Sequence, residues 1–204
     1  MINTKYKLSQ KLLENISSIE RLYGQLESQV VPKELLLNLE EHNLVKSSFS
    51  SNSIEGNPLS QEEVTNLILG GRVPANRDEK EVKNYFDILK QIGRGYDTLN
   101  IDTILKIHKQ LLEGIENQIG GEIRNSKVVV GNPSQDGNIV IKHEPPKHTK
   151  KEITILLEEL IEWTNTSEEL PILKAGIYHH EFVYIHPFVD GNGRACRLTT
   201  TLLL

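Results

Sequence analysis

The chain has 204 residues, with 28 acidic against 23 basic side chains and a net charge of −5. That length supports one large domain, or a domain with an appended lobe, around a real core, and the acidic balance argues against a general binder of nucleic acid or membrane surfaces. One cysteine excludes an intrachain disulfide framework and a multi-cysteine zinc site; with a polar start, "MINTKYKLSQ", and no membrane-spanning run, the sequence reads as a cytoplasmic globular protein.

In chain order, most of the sequence reads as helix. Leu8, Leu12, Ile16, Ile19 and Leu26 recur at helical spacing, and Gly24 weakens the later part of that segment. Pro32 opens a second helix through Leu35, Leu36, Leu39 and Leu44, after which serines crowd into "KSSFSSNSIEGNP". Ser60 and Glu63 have capping-box spacing ahead of Val64, Leu67 and Ile68. "LGGRVPANRD" is a loop, Val82, Tyr85, Phe86, Leu89 and Ile92 mark another amphipathic helix, and "IDTILKIHKQLLEGI" a further one.

One stretch reads as strands. "KVVVGNPSQDGNIVI" has two β-branched runs around a loop containing Asn132-Pro133 and Asp136-Gly137, which predicts a β-hairpin with Val128 to Val130 and Ile139 to Ile141 at its edge. Helices resume after Pro145 and Pro146, with Leu156, Leu157, Leu160 and Trp163 on one face. Residues 171–185 read as an apolar helix and "RACRLTTTLLL" as the last one, which stops within its apolar pattern and leaves room for a native chain that continues. The fold class expected is all-α with one hairpin excursion.

Between the last two helices, "HPFVDGNGRACR" breaks local rules. Arg194 and Arg197 fall in the first turns of a helix, where the dipole disfavours cations, and they are neighbours on one face. A glycine-flanked loop entering a helix presents free N–H groups, and Gly191 and Gly193 leave room for an anion to approach them. Two guanidiniums and that nest suit a polyphosphate. Asp190 precedes the loop, and magnesium commonly takes one or two carboxylates plus substrate phosphates. His186 titrates near neutrality and can take a proton from an attacking hydroxyl. Together these residues describe a nucleotide-using transferase; the bland alternative is a helix–turn–helix corner with incidental charges.

Competing motifs fail on spacing. No Lys-Ser/Thr follows the glycines, so this is not a Walker A loop. In "HHEFVYIH", Tyr184 stands where a zincin needs its second histidine, leaving His179 and His180 as packing or surface residues. His108 reads as a packed or capped side chain, and Cys196 as a small packing residue, with a cysteine–histidine nucleophile pair left open in principle.

"HPFVDGNGRACR" resembles the motif of the Fic (filamentation induced by cAMP) family, His-Pro-Phe-x-Asp/Glu-Gly-Asn-Gly-Arg-x-x-Arg, at every specified position. "GGEIRNSKVVVGN" and "KHEPPKH" are similar to the flap region that precedes that family's core helices. "SNSIEGN" resembles the Ser/Thr-x-x-x-Glu-Gly/Asn inhibitory motif that one subclass carries N-terminally. The resemblance implies a helical bundle with a flap hairpin, split into an N-terminal helical region with the inhibitory motif (1–96) and a catalytic core (97–204). It implies ATP as substrate, magnesium, and transfer of AMP to a Ser, Thr or Tyr hydroxyl of a target protein.

By position, the resemblance makes His186 the general base, Asp190 the magnesium ligand and Phe188 a core residue that fixes the loop. Gly191, Asn192 and Gly193 would bind the α- and β-phosphates through backbone N–H groups and the Asn side chain, Arg194 the β-phosphate and Arg197 the γ-phosphate. Glu55 would pair with Arg197 and hold the enzyme off, with Ser51 one helical turn earlier orienting that segment. Family members that act as kinases carry lysine where Gly193 stands, which favours adenylylation here; use of another phosphate-containing group, or removal of AMP, stays open.

The target would dock on the 128–141 flap by adding a strand to the sheet edge; a plain structural hairpin is the other reading. Self-AMPylation and a homodimer stay open, and neither membrane nor direct nucleic-acid binding is expected. The alternative from a different class is a non-catalytic nucleotide-sensing regulatory module. An intact His186 favours the enzyme, since binding alone has no use for a base.

Overall fold

The computed structural model describes residues 6–96, 98–133 and 139–204. Among these, eight helices and one two-stranded hairpin follow in the order α1 (Gln10–Glu27), α2 (Lys33–Ile54), α3 (Gln61–Leu69), α4 (Arg77–Gln91), α5 (Ile101–Leu111), β1 (Val130–Pro133), β2 (Ile139–His143), α6 (Lys150–Thr166), α7 (Pro171–Ile185) and α8 (Asn192–Thr201). The expected helical fold with a small hairpin is the observed one. None of these helices is long and apolar enough to cross a membrane.

Helix starts are set locally. Ser9, Ser60, Asn76, Asn100 and Thr149 each accept a hydrogen bond from an N–H in the first turn, and Ser60 with Glu63 forms both arms of a capping box. Pro171 opens α7 at N1. The serine-rich stretch does not interrupt α2. Ser48 donates to Leu44 O at 2.8 Å and Asn52 to Ser48 O at 2.8 Å, so these side chains bond back onto their own helix. Ser48, Ser51 and Asn52 are buried because this end of α2 packs on α4 and α8, and small side chains permit that approach. α1 runs through Gly24 to Glu27 and buries only Ile16.

The hairpin differs in register from the expectation. β1 starts at Val130, and Asn132 and Pro133 lie in the strand, opposite Val140 and Ile139. Gly131 is the reason. A Cβ there would collide with the Val140 carbonyl, so the strands approach at that point as only glycine allows, and the register shifts between Val130 and Gly131. The Asp136-Gly137 turn lies outside the described residues.

Two apolar clusters hold the helices. The larger one gathers Ile104, Ile107 and Leu111 of α5, Ile153, Leu157 and Leu160 of α6, Tyr178, Phe182 and Ile185 of α7, and Leu198 of α8. The smaller gathers Val45, Val64, Leu67, Val82 and Phe86. α4 serves both, since Tyr85 and Ile88 face the larger cluster. Each fully buried Leu, Ile or Phe contributes roughly 1.5–3 kcal/mol. The loop between α7 and α8 is therefore suspended from a rigid frame.

Candidate active site

α7 ends at His186, which takes a left-handed backbone conformation with φ 51°, the only positive φ at a non-glycine residue among those described. Such a residue costs on the order of 1–3 kcal/mol and persists only when its surroundings over-determine it. They do. Phe188, fully buried, stacks flat on His108 with centroids 3.6 Å apart. Phe188 N donates to Asn192 Oδ1 and Asn192 Nδ2 donates to Phe188 O, each at 2.9 Å. The Asn192 side chain thus folds the loop, and its backbone N–H is what remains at the helix start for an anion.

His108 is packed and capped, as its place on an apolar helical face suggested. Its Nδ1 accepts from Gly121 N at 2.9 Å, so the neutral ring carries its proton on Nε2 and donates to Asp190 O at 2.9 Å. Burial, first among the causes, pushes its pKa down to about 4.

The N–H nest expected of the glycine-flanked loop would lie at the start of α8. Gly191, with φ 74°, caps the helix without a side-chain hydrogen bond, and the first bond of the helix runs from Ala195 N to Gly191 O at 2.9 Å. The N–H groups of residues 192–194 precede that bond and have no partner within the helix. Arg194 lies beside them, only 4% exposed, with Nη1 3.2 Å from Glu81 Oε2 and Nη2 3.9 Å from Asp190 Oδ2. The Glu81 contact is an ion pair without hydrogen-bond geometry, and buried Nε makes no hydrogen bond either. Asp190 accepts from Gly191 N at 2.7 Å through Oδ1, and its side chain is 47% exposed. No group of three or more metal-binding side chains occurs among the described residues. A single carboxylate beside an anion nest fits magnesium held largely by substrate phosphates and water.

Arg197 lies one turn further along and turns toward α2. Its Nε donates to Ser51 Oγ at 2.7 Å, and its Nη2 donates to Ser51 O at 3.0 Å and to Glu55 Oε1 at 2.6 Å. α2 stops at Ile54 with Glu55 as C-cap, and Gly56 follows at φ 87°. A Cβ on Gly193 would collide with Glu55 Oε1. The carboxylate therefore rests against the nest itself, where its charge offsets the cations that the dipole disfavours.

Burial chiefly lowers the His186 pKa, and Arg124 and His143 lower it further; the Val183 carbonyl and the Glu55 charge oppose them. Nδ1 is buried without a hydrogen bond of good geometry, and the ring is held neutral near pH 7. Between the hairpin and α7 lies an open, mainly apolar cavity of about 520 Å³, lined by Val130 and His143 on one side and His179, Val183 and Tyr184 on the other.

His180 is exposed beside Glu181, and His179 faces Thr200 Oγ1 at 3.3 Å. Cys196 is buried with its thiol pushed up to about 12, mainly by burial. That removes it as a nucleophile.

Sequence reasoning missed Glu81, which holds Arg194, and Arg124, which is buried against the carbonyls of Ile185 and His186. Both lie far from the motif in sequence; Arg124 falls in the flap-like stretch, but nothing there tells a buried clamp from a solvated arginine.

A sequence model of the Fic/DOC family matches residues 98–204. The protein adenylyltransferase Fic of Aedes aegypti is 31% identical over 182 residues, covering 83% of this chain and 34% of that protein. The protein adenylyltransferase fic-1 of Caenorhabditis elegans is 29% identical over 163 residues, covering 74% of this chain and 30% of that one. The chain thus spans about a third of the length of these curated relatives. Among solved structures, a Fic family protein from Desulfovibrio desulfuricans superposes with a TM-score of 0.82 at 28% identity, over 99% of this chain and 59% of that one.

Proposed function

The chain belongs to the Fic/DOC family, and from that premise we propose that it transfers AMP from ATP to a hydroxyl of a protein and is held off by its own Glu55. The observation that carries the reading is an anion nest beside a base. Arg194 is buried with Nε and Nη1 making no hydrogen bond, Nη1 being ion-paired to Glu81, at a helix start whose first N–H groups have no partner within the helix, eight residues after His186. A polyphosphate would satisfy those donors and stabilise charge at the transferring group.

In this mechanism neutral His186 takes the proton of the acceptor hydroxyl. The oxygen attacks the α-phosphorus, the bond to the β-phosphate oxygen breaks, and pyrophosphate leaves. The N–H groups of residues 192–194 and the Arg194 side chain hold the phosphates, and Asp190 is the residue that would hold magnesium, which supplies charge neutralisation when bound. The acceptor segment would lie along the exposed Ile139, Val140 and Ile141 of β2. The apolar cavity between hairpin and α7 suits the nucleoside. While Glu55 rests on Gly193 and Arg197, the third phosphate has neither space nor partner there.

The test is incubation of wild type and Glu55→Gly with magnesium and ATP labelled at the α- or the γ-phosphate. α-Label on protein is the expected result. γ-Label alone would mean phosphoryl transfer. No label from either protein, with ATP still bound, would support a nucleotide-sensing module.

A further inference from the structure

Arg124 leads from the loop after α5 into the hairpin, within the stretch that resembles the flap but with no role assigned to it from sequence. Its side chain is almost wholly buried and spends its donors on backbone carbonyls. Nε donates to His186 O at 2.7 Å, Nη2 to Ile185 O at 3.2 Å and Nη1 to Ser126 O at 2.8 Å. Its own backbone N donates to Pro187 O at 3.0 Å. Three consecutive carbonyls, at residues 185–187, therefore end on one residue. They are the last carbonyls of α7 and the first of the loop, which have no acceptor role left inside the helix. A cation at this helix end is also where the dipole favours one.

We propose that Arg124 is the positioning residue of the base: it clamps the backbone on both sides of His186 and so sets the direction in which the imidazole meets the acceptor hydroxyl. The left-handed backbone of His186 needs such a clamp, because without it the chain gains by relaxing to negative φ and the ring swings away. Lysine cannot replace it. A guanidinium reaches the carbonyls of residues 126, 185 and 186 at once through a planar fork, whereas an ammonium is a point. The Ser126 contact ties the same fork to the root of the hairpin, so the acceptor-docking strand and the base share one anchor. The inference rests on His186 acting as base in the proposed transfer.

The experiment uses Arg124→Gln and Arg124→Lys in the Glu55→Gly background, with rate and nucleotide affinity measured separately. A misplacement of about 1 Å can cost on the order of 100-fold in rate. Arg124→Gln is expected to lower kcat about 100-fold while ATP affinity by calorimetry stays within about twofold. The groups acting on the His186 ring are Arg124, His143 and Glu55, besides its burial and the Val183 carbonyl. The Arg124 charge holds that pKa down, so its loss moves the acid limb of kcat to higher pH in Arg124→Gln. Arg124→Lys keeps the charge and loses the fork, so its kcat falls with the acid limb in place. An unchanged kcat in Arg124→Gln overturns the proposal, as does a loss of ATP affinity equal to the loss of rate.

An NMR titration of the His186 ring separates this proposal from the AMP-transfer reading. If no variant, the Glu55→Gly parent included, transfers AMP, the transfer reading fails, while a raised His186 midpoint in Arg124→Gln still supports the clamp and an unmoved one refutes it. If neither variant folds, wild type decides: the Arg124 Nε resonance must shift at the His186 midpoint, and a resonance that does not shift overturns the proposal.

Discussion

Removing the Glu55 carboxylate should raise transfer about tenfold. The contact it breaks is a single charge-assisted bond from Arg197 Nη2 at 2.6 Å, between side chains 21% and 37% exposed. A hydrogen bond to a charged group contributes roughly 1.5–3 kcal/mol when buried, and an exposed ion pair about 0.2–1 kcal/mol. At this intermediate exposure about 1–1.5 kcal/mol is reasonable, which corresponds to roughly a tenfold bias toward the closed arrangement. Because Oε1 also fills the space over Gly193, carboxylate and phosphate exclude each other, and the rate follows the open fraction.

Arg197 would keep its two bonds to Ser51 in Glu55→Gly, so it stays at the site for the phosphate. Initial rates of α-label incorporation by wild type, Glu55→Gly and Glu55→Gly/Arg197→Ala measure this, with the double variant expected to fall back to wild type or below. Equal rates in wild type and Glu55→Gly would refute the autoinhibition argument and leave the assignment of base and nest untouched.

Three further outcomes follow from the same geometry. His186→Ala should lose at least about 100-fold in transfer, the lower end of what a general base contributes, while calorimetry finds ATP binding nearly unchanged; retention of rate would remove His186 as the base. Arg194→Ala should weaken ATP binding by about 1.5–3 kcal/mol without affecting adenosine, and equal ATP affinities would sink the phosphate-clamp role. His108, with its pKa depressed to about 4 from an ordinary 6.5, takes up a proton more readily in the unfolded chain. It therefore leaves stability unaffected above about pH 6.5 and costs it progressively as pH falls toward 4, on the order of 3 kcal/mol in all. Urea unfolding should show the gap between wild type and His108→Gln narrowing across that window; a constant gap would mean that the ring is not held neutral.

Features that depend on residues a few positions apart are written locally in the chain. Capping side chains such as Ser60 with Glu63, the proline that opens α7, and the apolar period of α4 to α7 act within one or two turns, so helix positions were legible. The motif was legible for the same reason: His186, Asp190, Gly191, Gly193, Arg194 and Arg197 fall within twelve consecutive positions. The pairing of Glu55 with Arg197 came from resemblance alone, since nothing local selects between it and a solvated carboxylate.

The long-range partners were set by how the helices pack. Arg197 meets Ser51 across 146 positions, Arg124 meets His186 across 62, and Arg194 meets Glu81 because α4 lies against the start of α8. Packing also turns the Asn192 amide inward to Phe188, and the hairpin takes its register from a close approach at Gly131. Spacing along a chain reports which side chains share a face. Which face meets which is settled when the apolar clusters close, because burial carries no directional information until all the helices are in place.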